Sequence, residues 1–159
     1  TEDDFCQDMD AIRYFMYFNS ERASVFFSTH VLLVEGPSEV ALINRLRDKH
    51  GLSLPNSVYI MDCIGKFNIH RFMNLFGRLG IAHSVLFDDD LNRGCHNAVN
   101  DLIHASRNAF TVNTSPIPQN LEAFLGLVET KTKSKKPYLI SQKTFKLSTN
   151  TLCNRRRFS

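Results

Sequence analysis

The sequence predicts an α/β fold with a mostly parallel, four-stranded sheet flanked by helices, and three observations carry that prediction. Val31-Leu-Leu-Val34, Ser57-Val-Tyr-Ile-Met-Asp62 and His83-Ser-Val-Leu-Phe87 are short apolar runs closed by turn-forming or acidic residues, the pattern of buried central strands. Between them lie segments with apolar residues at helical spacing that stop at Gly51 and Gly80. Strands that alternate with helices join by right-handed crossovers, and such crossovers lay the strands parallel.

Taken in order, Phe5, Met9, Ile12 and Met16 recur at helical spacing behind an acidic start, so residues 3–18 read as an amphipathic helix. Glu21 to Phe27 is a second, shorter helical piece leading into the first strand. Residues 1–30 together read as a helical lead-in, or as the joint to a preceding domain. After the first strand Gly36 lets the backbone turn, Pro37 suits a first helical position, and Ser38 to His50 carries Val40, Ile43 and Leu46 on one face. Leu54-Pro55-Asn56 makes a turn before the second strand. Phe67 to Leu79 places Ile69, Phe72, Met73, Phe76 and Leu79 on one face, with His70 and Arg71 opposite. Asn97 to Ser106 is helical in pattern and Asn108 to Val112 is a fourth, shorter strand. Pro116 and Pro118 confine Asn113 to Gln119 to a loop, and Asn120 to Leu127 opens another helix with Glu122 in its first turn.

A chain of 159 residues with 43% hydrophobic content and 13 Phe suits one domain with a real core, here residues 31–128. The net charge of +3 hides an asymmetry: residues 1–128 hold ten Lys and Arg against fifteen Asp and Glu, whereas residues 129–159 hold nine against Glu129 alone. That basic segment fits phosphate binding, or is a solvated tail. Cys6, Cys63, Cys95 and Cys153 have neither zinc-knuckle nor disulfide-framework spacing, which points to reduced thiols in the cytoplasm. No apolar run is long enough for a membrane span, and no glycine-lysine loop for ATP hydrolysis is present.

The chemistry-bearing residues stand at strand ends. Glu35 ends the first strand and Glu39 follows one helical turn later, while Asp88 and Asp90 leave the third strand. In open α/β sheets ligands collect beyond the carboxyl ends of the strands, so both sets face one crevice. Like charges about 4 Å apart repel by roughly 4 kcal/mol per pair at an effective dielectric near 20, and divalent cations are the usual remedy. Hard oxygen donors favour Mg²⁺ or Mn²⁺ over zinc. Singly, each acid has an ordinary explanation as a solvated turn, an exposed helix residue or a helix-start acid; their joint placement at two strand ends argues for a site. Lys66, after the second strand, is placed to meet a phosphate or one of these carboxylates. Glu122 suits a helix start on dipole grounds alone.

Val34-Glu-Gly-Pro-Ser-Glu39, followed about fifty residues later by Phe87-Asp-Asp-Asp90, resembles the topoisomerase-primase (Toprim) domain, whose signature is a strand-end Glu and a later Asp-x-Asp. Ala23-Ser-Val-Phe-Phe27, Ile64-Gly-Lys-Phe-Asn68 and Asn120-Leu-Glu122 narrow the resemblance to the OLD-family (overcoming lysogenization defect) nucleases, over about residues 20–126. The resemblance implies a Toprim-like fold and a metal-dependent DNA endonuclease or nickase. It implies two Mg²⁺ or Mn²⁺ ions held by Glu35, Glu39, Asp88, Asp90 and Glu122, directly or through water. The resemblance further implies that Glu35 doubles as general base and that Asp88 belongs to the catalytic set. Lys136, in the step Lys136-Pro137, resembles the family's lysine at the scissile phosphate, with Lys133 and Lys135 as neighbouring DNA contacts beside Lys66. The expected mechanism is an in-line displacement clamped by two cations about 4 Å apart. The chain opens on Thr1 rather than Met; the resemblance implies an ABC-type ATPase ahead of this domain, a homo-oligomer and a phage-defence setting.

Rival readings fit less well. A topoisomerase needs a nucleophilic Tyr over the site, and Tyr14, Tyr17, Tyr59 and Tyr138 lack that context. A primase needs a zinc module that the cysteine spacing does not offer. A phosphatase with a nucleophilic Asp-x-Asp carries Thr two residues beyond the second Asp, where Asn92 stands here. A non-catalytic Toprim module that binds DNA or a protein partner is the alternative from another class.

Overall fold

Val31 and Leu33, Tyr59 and Met61, and Val85 and Phe87 take alternate positions on three neighbouring strands, so one face of the sheet is apolar throughout. A computed structural model describes residues 20–55, 57–90, 94–124 and 137–138. The helix expected over 3–18 and Lys133, Lys135 and Lys136 lie outside these described residues. A short helix α1 (Ser20–Ala23) runs into a 3-10 turn (Ser24–Phe27), then β1 (His30–Val34), α2 (Pro37–His50) and β2 (Val58–Asp62). A second 3-10 turn (Lys66–Asn68) continues as α3 (Ile69–Leu79), followed by β3 (His83–Asp88), α4 (Gly94–Ala105), β4 (Thr111–Ile117) and α5 (Leu121–Phe124). The sheet has the order β2-β1-β3-β4, and every pairing is parallel.

The main core joins that apolar face to Ile69, Phe72, Met73, Leu75 and Phe76 of α3, Val99 and Ile103 of α4, and Val25 of the lead-in. A smaller cluster on the opposite face packs Leu42 and Leu46 of α2 with Leu86, Ile117 and Leu121. Helices thus cover both faces, as an all-parallel sheet requires. His83 is buried at the start of β3 and kept neutral: Nδ1 donates to the Ile81 carbonyl at 2.9 Å, Nε2 meets Thr111 Oγ1 at 2.9 Å, and burial lowers its pKa. Among the described residues no helix is long and apolar enough to cross a membrane.

The helix stops fall at Gly51 and Gly80, both left-handed, as the pattern predicts. Three local expectations are corrected. Leu79 is half exposed, and Leu75 takes the buried place expected for it. The fourth strand begins at Thr111, because the Asn108 side chain accepts the Phe110 N–H at 3.0 Å and closes a turn where extended chain was expected. The strand also runs through Ile117, across the segment expected as a loop. β4 is the outer strand, and Pro116, opposite Phe87, lacks the N–H that only an inner strand would need.

Gly77 makes a close approach possible. A Cβ there would stand 2.6 Å from Asn108 Nδ2, and that amide is pinned by a 3.1 Å bond to the Met73 carbonyl. Helix propensity alone favours Gly77→Ala by about 1 kcal/mol. The clash should reverse the sign and lower stability by roughly 1–2 kcal/mol in thermal unfolding. Adding Asn108→Gly should shrink the effect of the alanine; a raised Tm in Gly77→Ala alone would refute the close approach.

Candidate functional site

β1 and β3 lie side by side and parallel, with Val34 opposite Leu86, so the residues leaving their carboxyl ends meet. The Asp88 N–H donates to Glu35 Oε1 at 2.7 Å. Acids 53 positions apart in sequence are thereby joined across the crevice.

The other acids gather around this bond. Glu39, in the first turn of α2 and buried, turns Oε2 back to the Gly36 N–H at 2.9 Å, which holds it at the start of its own helix. Gly36 itself is extended (φ −164°), a conformation open to any residue, so the freedom expected of that glycine is not what the turn uses. Asp88 is buried and its Oδ1 accepts the Leu121 N–H at 2.9 Å, tying β3 to the start of α5. Asp90 is left-handed (φ 49°), and its N–H donates to the Gln119 carbonyl at 2.7 Å. Its Oδ2 lies 3.4 Å from Lys66 Nζ and 3.1 Å from His96 Nδ1. Asp89 is engaged elsewhere, with Asn100 Nδ2 donating to its carbonyl at 2.8 Å and to its Oδ1 at 3.0 Å.

Of the two partners expected of Lys66, the structure shows the carboxylate side. Gly65 takes φ 111°, a conformation that glycine alone adopts without strain, and its N–H donates to the Glu35 carbonyl at 2.6 Å. This turns Lys66 inward, where it is 3% exposed. Its ammonium donates to the Asp88 carbonyl, faces Asp90 and stands 5.5 Å from the centre of the Phe87 ring. A buried cation therefore lies among the acids.

Burial pushes the Glu35 carboxyl up from 4.5 to about 7; the Asp88 N–H and Lys66 draw it back, and Glu39 and Asp90 push it further up. A desolvated carboxyl short of positive charge is what a divalent cation relieves. The donors are hard oxygens, the chemistry that Mg²⁺ or Mn²⁺ takes. The residues fit such an ion in kind. Among the described residues, however, no three His, Cys, Asp or Glu side chains close around one point. Each of the four acids is held by an internal partner, so binding an ion means exchanging those contacts. Glu122, the fifth expected ligand, follows Leu121 in α5, and its side chain is not described.

The sequence reading passed over two groups that the fold brings here. His96, in the first turn of α4, reaches Asp90 across residues that separate them in sequence, and no strand-end pattern marks it. Asp62 ends β2 opposite Val34, a strand-end acid like Glu35, but its Oδ1 is taken by the Ile64 N–H at 2.6 Å and its carbonyl by Arg22 Nη1 at 2.7 Å.

Comparison with known proteins agrees with this geometry. Residues 26–90 match the family model described as the Toprim domain of overcoming lysogenization defect protein-like proteins. No curated protein matches the chain. The matched segment runs from the lead-in to Asp90 and so contains β1, β2, β3 and four of the expected acids, and it points to a nuclease-type, metal-binding module. Over residues 26–90 the chain is thus similar to the OLD-like Toprim domain.

Proposed function

We propose that this domain hydrolyses phosphodiester bonds in DNA as a divalent-metal-dependent endonuclease or nickase, using two Mg²⁺ or Mn²⁺ ions. The observation that carries this reading is the 2.7 Å bond from the Asp88 N–H to Glu35, which puts the Glu and the Asp-x-Asp at one crevice. Glu35, Glu39, Asp88, Asp90 and Glu122 would hold the ions. When bound, they supply the charge that stabilises the attacking and leaving oxygens of an in-line displacement. Glu35, with a carboxyl that titrates near 7 in the ion-free chain, is suited to accept the proton of the attacking water. Lys66 holds Asp90 and the Asp88 carbonyl in place. Lys136 neutralises charge on the scissile phosphate, and Lys133 and Lys135 contact the DNA backbone. In this reading the domain works behind an ABC-type ATPase, in a homo-oligomer, in the cytoplasm of a cell defending itself against phage.

The second reading, a non-catalytic Toprim module that binds DNA or a protein partner, draws on the fact that each of these four acids already has an internal partner. Supercoiled plasmid with Mg²⁺ or Mn²⁺ separates the two. The nuclease nicks it, and Asp88→Asn, which keeps an acceptor for the Leu121 N–H, should lose about a hundredfold in rate. Metal-independent DNA binding without nicking would establish the module instead.

A further inference from the structure

The loop from β2 to α3 holds two apolar side chains out of the core at the rim of the crevice. Ile64 is 53% exposed and Phe67 52%, on either side of the inward-turned Lys66. Scattered apolar side chains on a surface are ordinary, but Ile64 also takes the left-handed φ of 56°, where a β-branched residue is strained and glycine or asparagine is far less so. Packing inside the domain returns little for that strain, because half of the side chain is in solvent. The loop is nevertheless firmly held. The Ile64 N–H donates to Asp62 Oδ1 at 2.6 Å, the Ile64 carbonyl accepts Asn68 Nδ2 at 3.1 Å, and the Gly65 N–H donates to the Glu35 carbonyl at 2.6 Å. The Phe67 ring stands edge-on to the His96 imidazole, with centroids 5.7 Å apart and planes at 66°, which fixes its tilt. Two apolar groups are thus presented, already set in place, next to the strand ends that carry Glu35 and Asp88.

We propose that Phe67, with Ile64 beside it, is a stacking contact for unpaired bases, so that the strand received at the crevice is single-stranded or locally unpaired DNA. This contact rests on the DNA-directed reading above and needs no bound ion. A crevice lined by acids repels a phosphate backbone, and the Lys66 ammonium is already engaged by the Asp88 carbonyl and Asp90. A base face carries no net charge, so stacking on an aromatic ring draws the strand in without opposing those acids. Stacked pairs in a duplex cover these faces, whereas an unpaired base leaves one free.

The test is binding of the full chain to a fluorophore-labelled thymidine oligonucleotide at physiological salt, read by anisotropy, first with chelator and then with Ca²⁺. Phe67→Ala should weaken binding about tenfold, and Phe67→Tyr should keep it within about threefold of the wild type. An oligonucleotide of the same length built from abasic sites keeps every phosphate and loses every base; the wild type should bind it about as weakly as Phe67→Ala binds the thymidine strand. On a duplex of that length Phe67→Ala should change nothing. Ile64→Asn should raise the Tm, because the strain is relieved, and yet weaken binding to the thymidine strand, two effects that a purely structural role would not separate. The chain contains no Trp, so Phe67→Trp supplies a single reporter whose emission should be quenched as the strand binds. Equal affinity of the wild type and Phe67→Ala for the thymidine strand, or an equal loss on strand and duplex, would overturn the stacking contact and leave the DNA-directed reading in place. If the wild type binds no oligonucleotide under either condition, that reading fails and the contact fails with it.

Discussion

Glu35→Gln should make the ion-free chain more stable at pH 8 and abolish its nicking. The folded-state pKa of Glu35 lies near 7, raised from 4.5 chiefly by burial. A raised pKa means that the folded state binds the proton more tightly than the unfolded chain does. The associated stability is fully present below about pH 4.5 and is lost as pH rises through 7. At pH 8 the carboxylate is ionised where water is scarce, at a cost of up to about 3 kcal/mol. Glutamine carries no charge at any pH and keeps an oxygen for the Asp88 N–H. The variant should therefore gain roughly 1–3 kcal/mol at pH 8, or several degrees in Tm, and gain little at pH 4. Unfolding with chelator present, followed at pH 4, 6 and 8, measures the crossing of the two profiles. Added Mn²⁺ should stabilise the wild type by mass action and leave Glu35→Gln almost unmoved, with nicking down by about a thousandfold. Identical pH profiles for the two chains would show that Glu35 is solvated in a way the fold does not suggest.

The reach of the sequence has a physical boundary here. The crevice was legible because its determinants are local: Val31–Val34 and His83–Phe87 alternate so as to bury one face, and the acids follow the last apolar residue of each run. Parallel pairing then brings Glu35 to Asp88 without further information. β4 was misplaced because Pro116 and Pro118 argue against a strand only when both edges are paired, and edge position is a property of the whole sheet. His96 and the inward Lys66 were illegible as a pair, since both reach Asp90 from elements whose approach depends on packing across the core. Repulsion among the acids led to the expectation of divalent cations, whereas the positive charge found among them is the Lys66 ammonium. Lys66 beside a carboxylate was one of two expectations for it; what the sequence could not show is that Gly65 turns it inward and that backbone N–H groups also serve the acids.

Lys66→Met, by contrast, should destabilise the ion-free chain strongly. The ammonium is 3% exposed and lies among the Asp88 carbonyl, the Asp90 carboxylate and the Phe87 ring. Methionine fills similar space and suits contact with the ring, so the loss is mainly one of charge. Removing one partner from a buried ion pair costs about 3–5 kcal/mol, because the remaining charge is left in a poor solvent. Lys66 also lowers the Glu35 pKa, so its removal should push that carboxyl above 7 and extend the loss of stability to higher pH. The two substitutions then act on one charge balance with opposite signs. In the double variant Glu35→Gln should offset part of the Lys66→Met cost, with a coupling of about 1 kcal/mol or more at pH 8. A divalent cation brings the same sign of charge to the same acids. Mn²⁺ should consequently raise the Tm of Lys66→Met by more than it raises that of the wild type. Additive substitutions, together with equal Mn²⁺ shifts in both chains, would show that Lys66 anchors the turn after β2 mechanically and is no counter-charge to the acids.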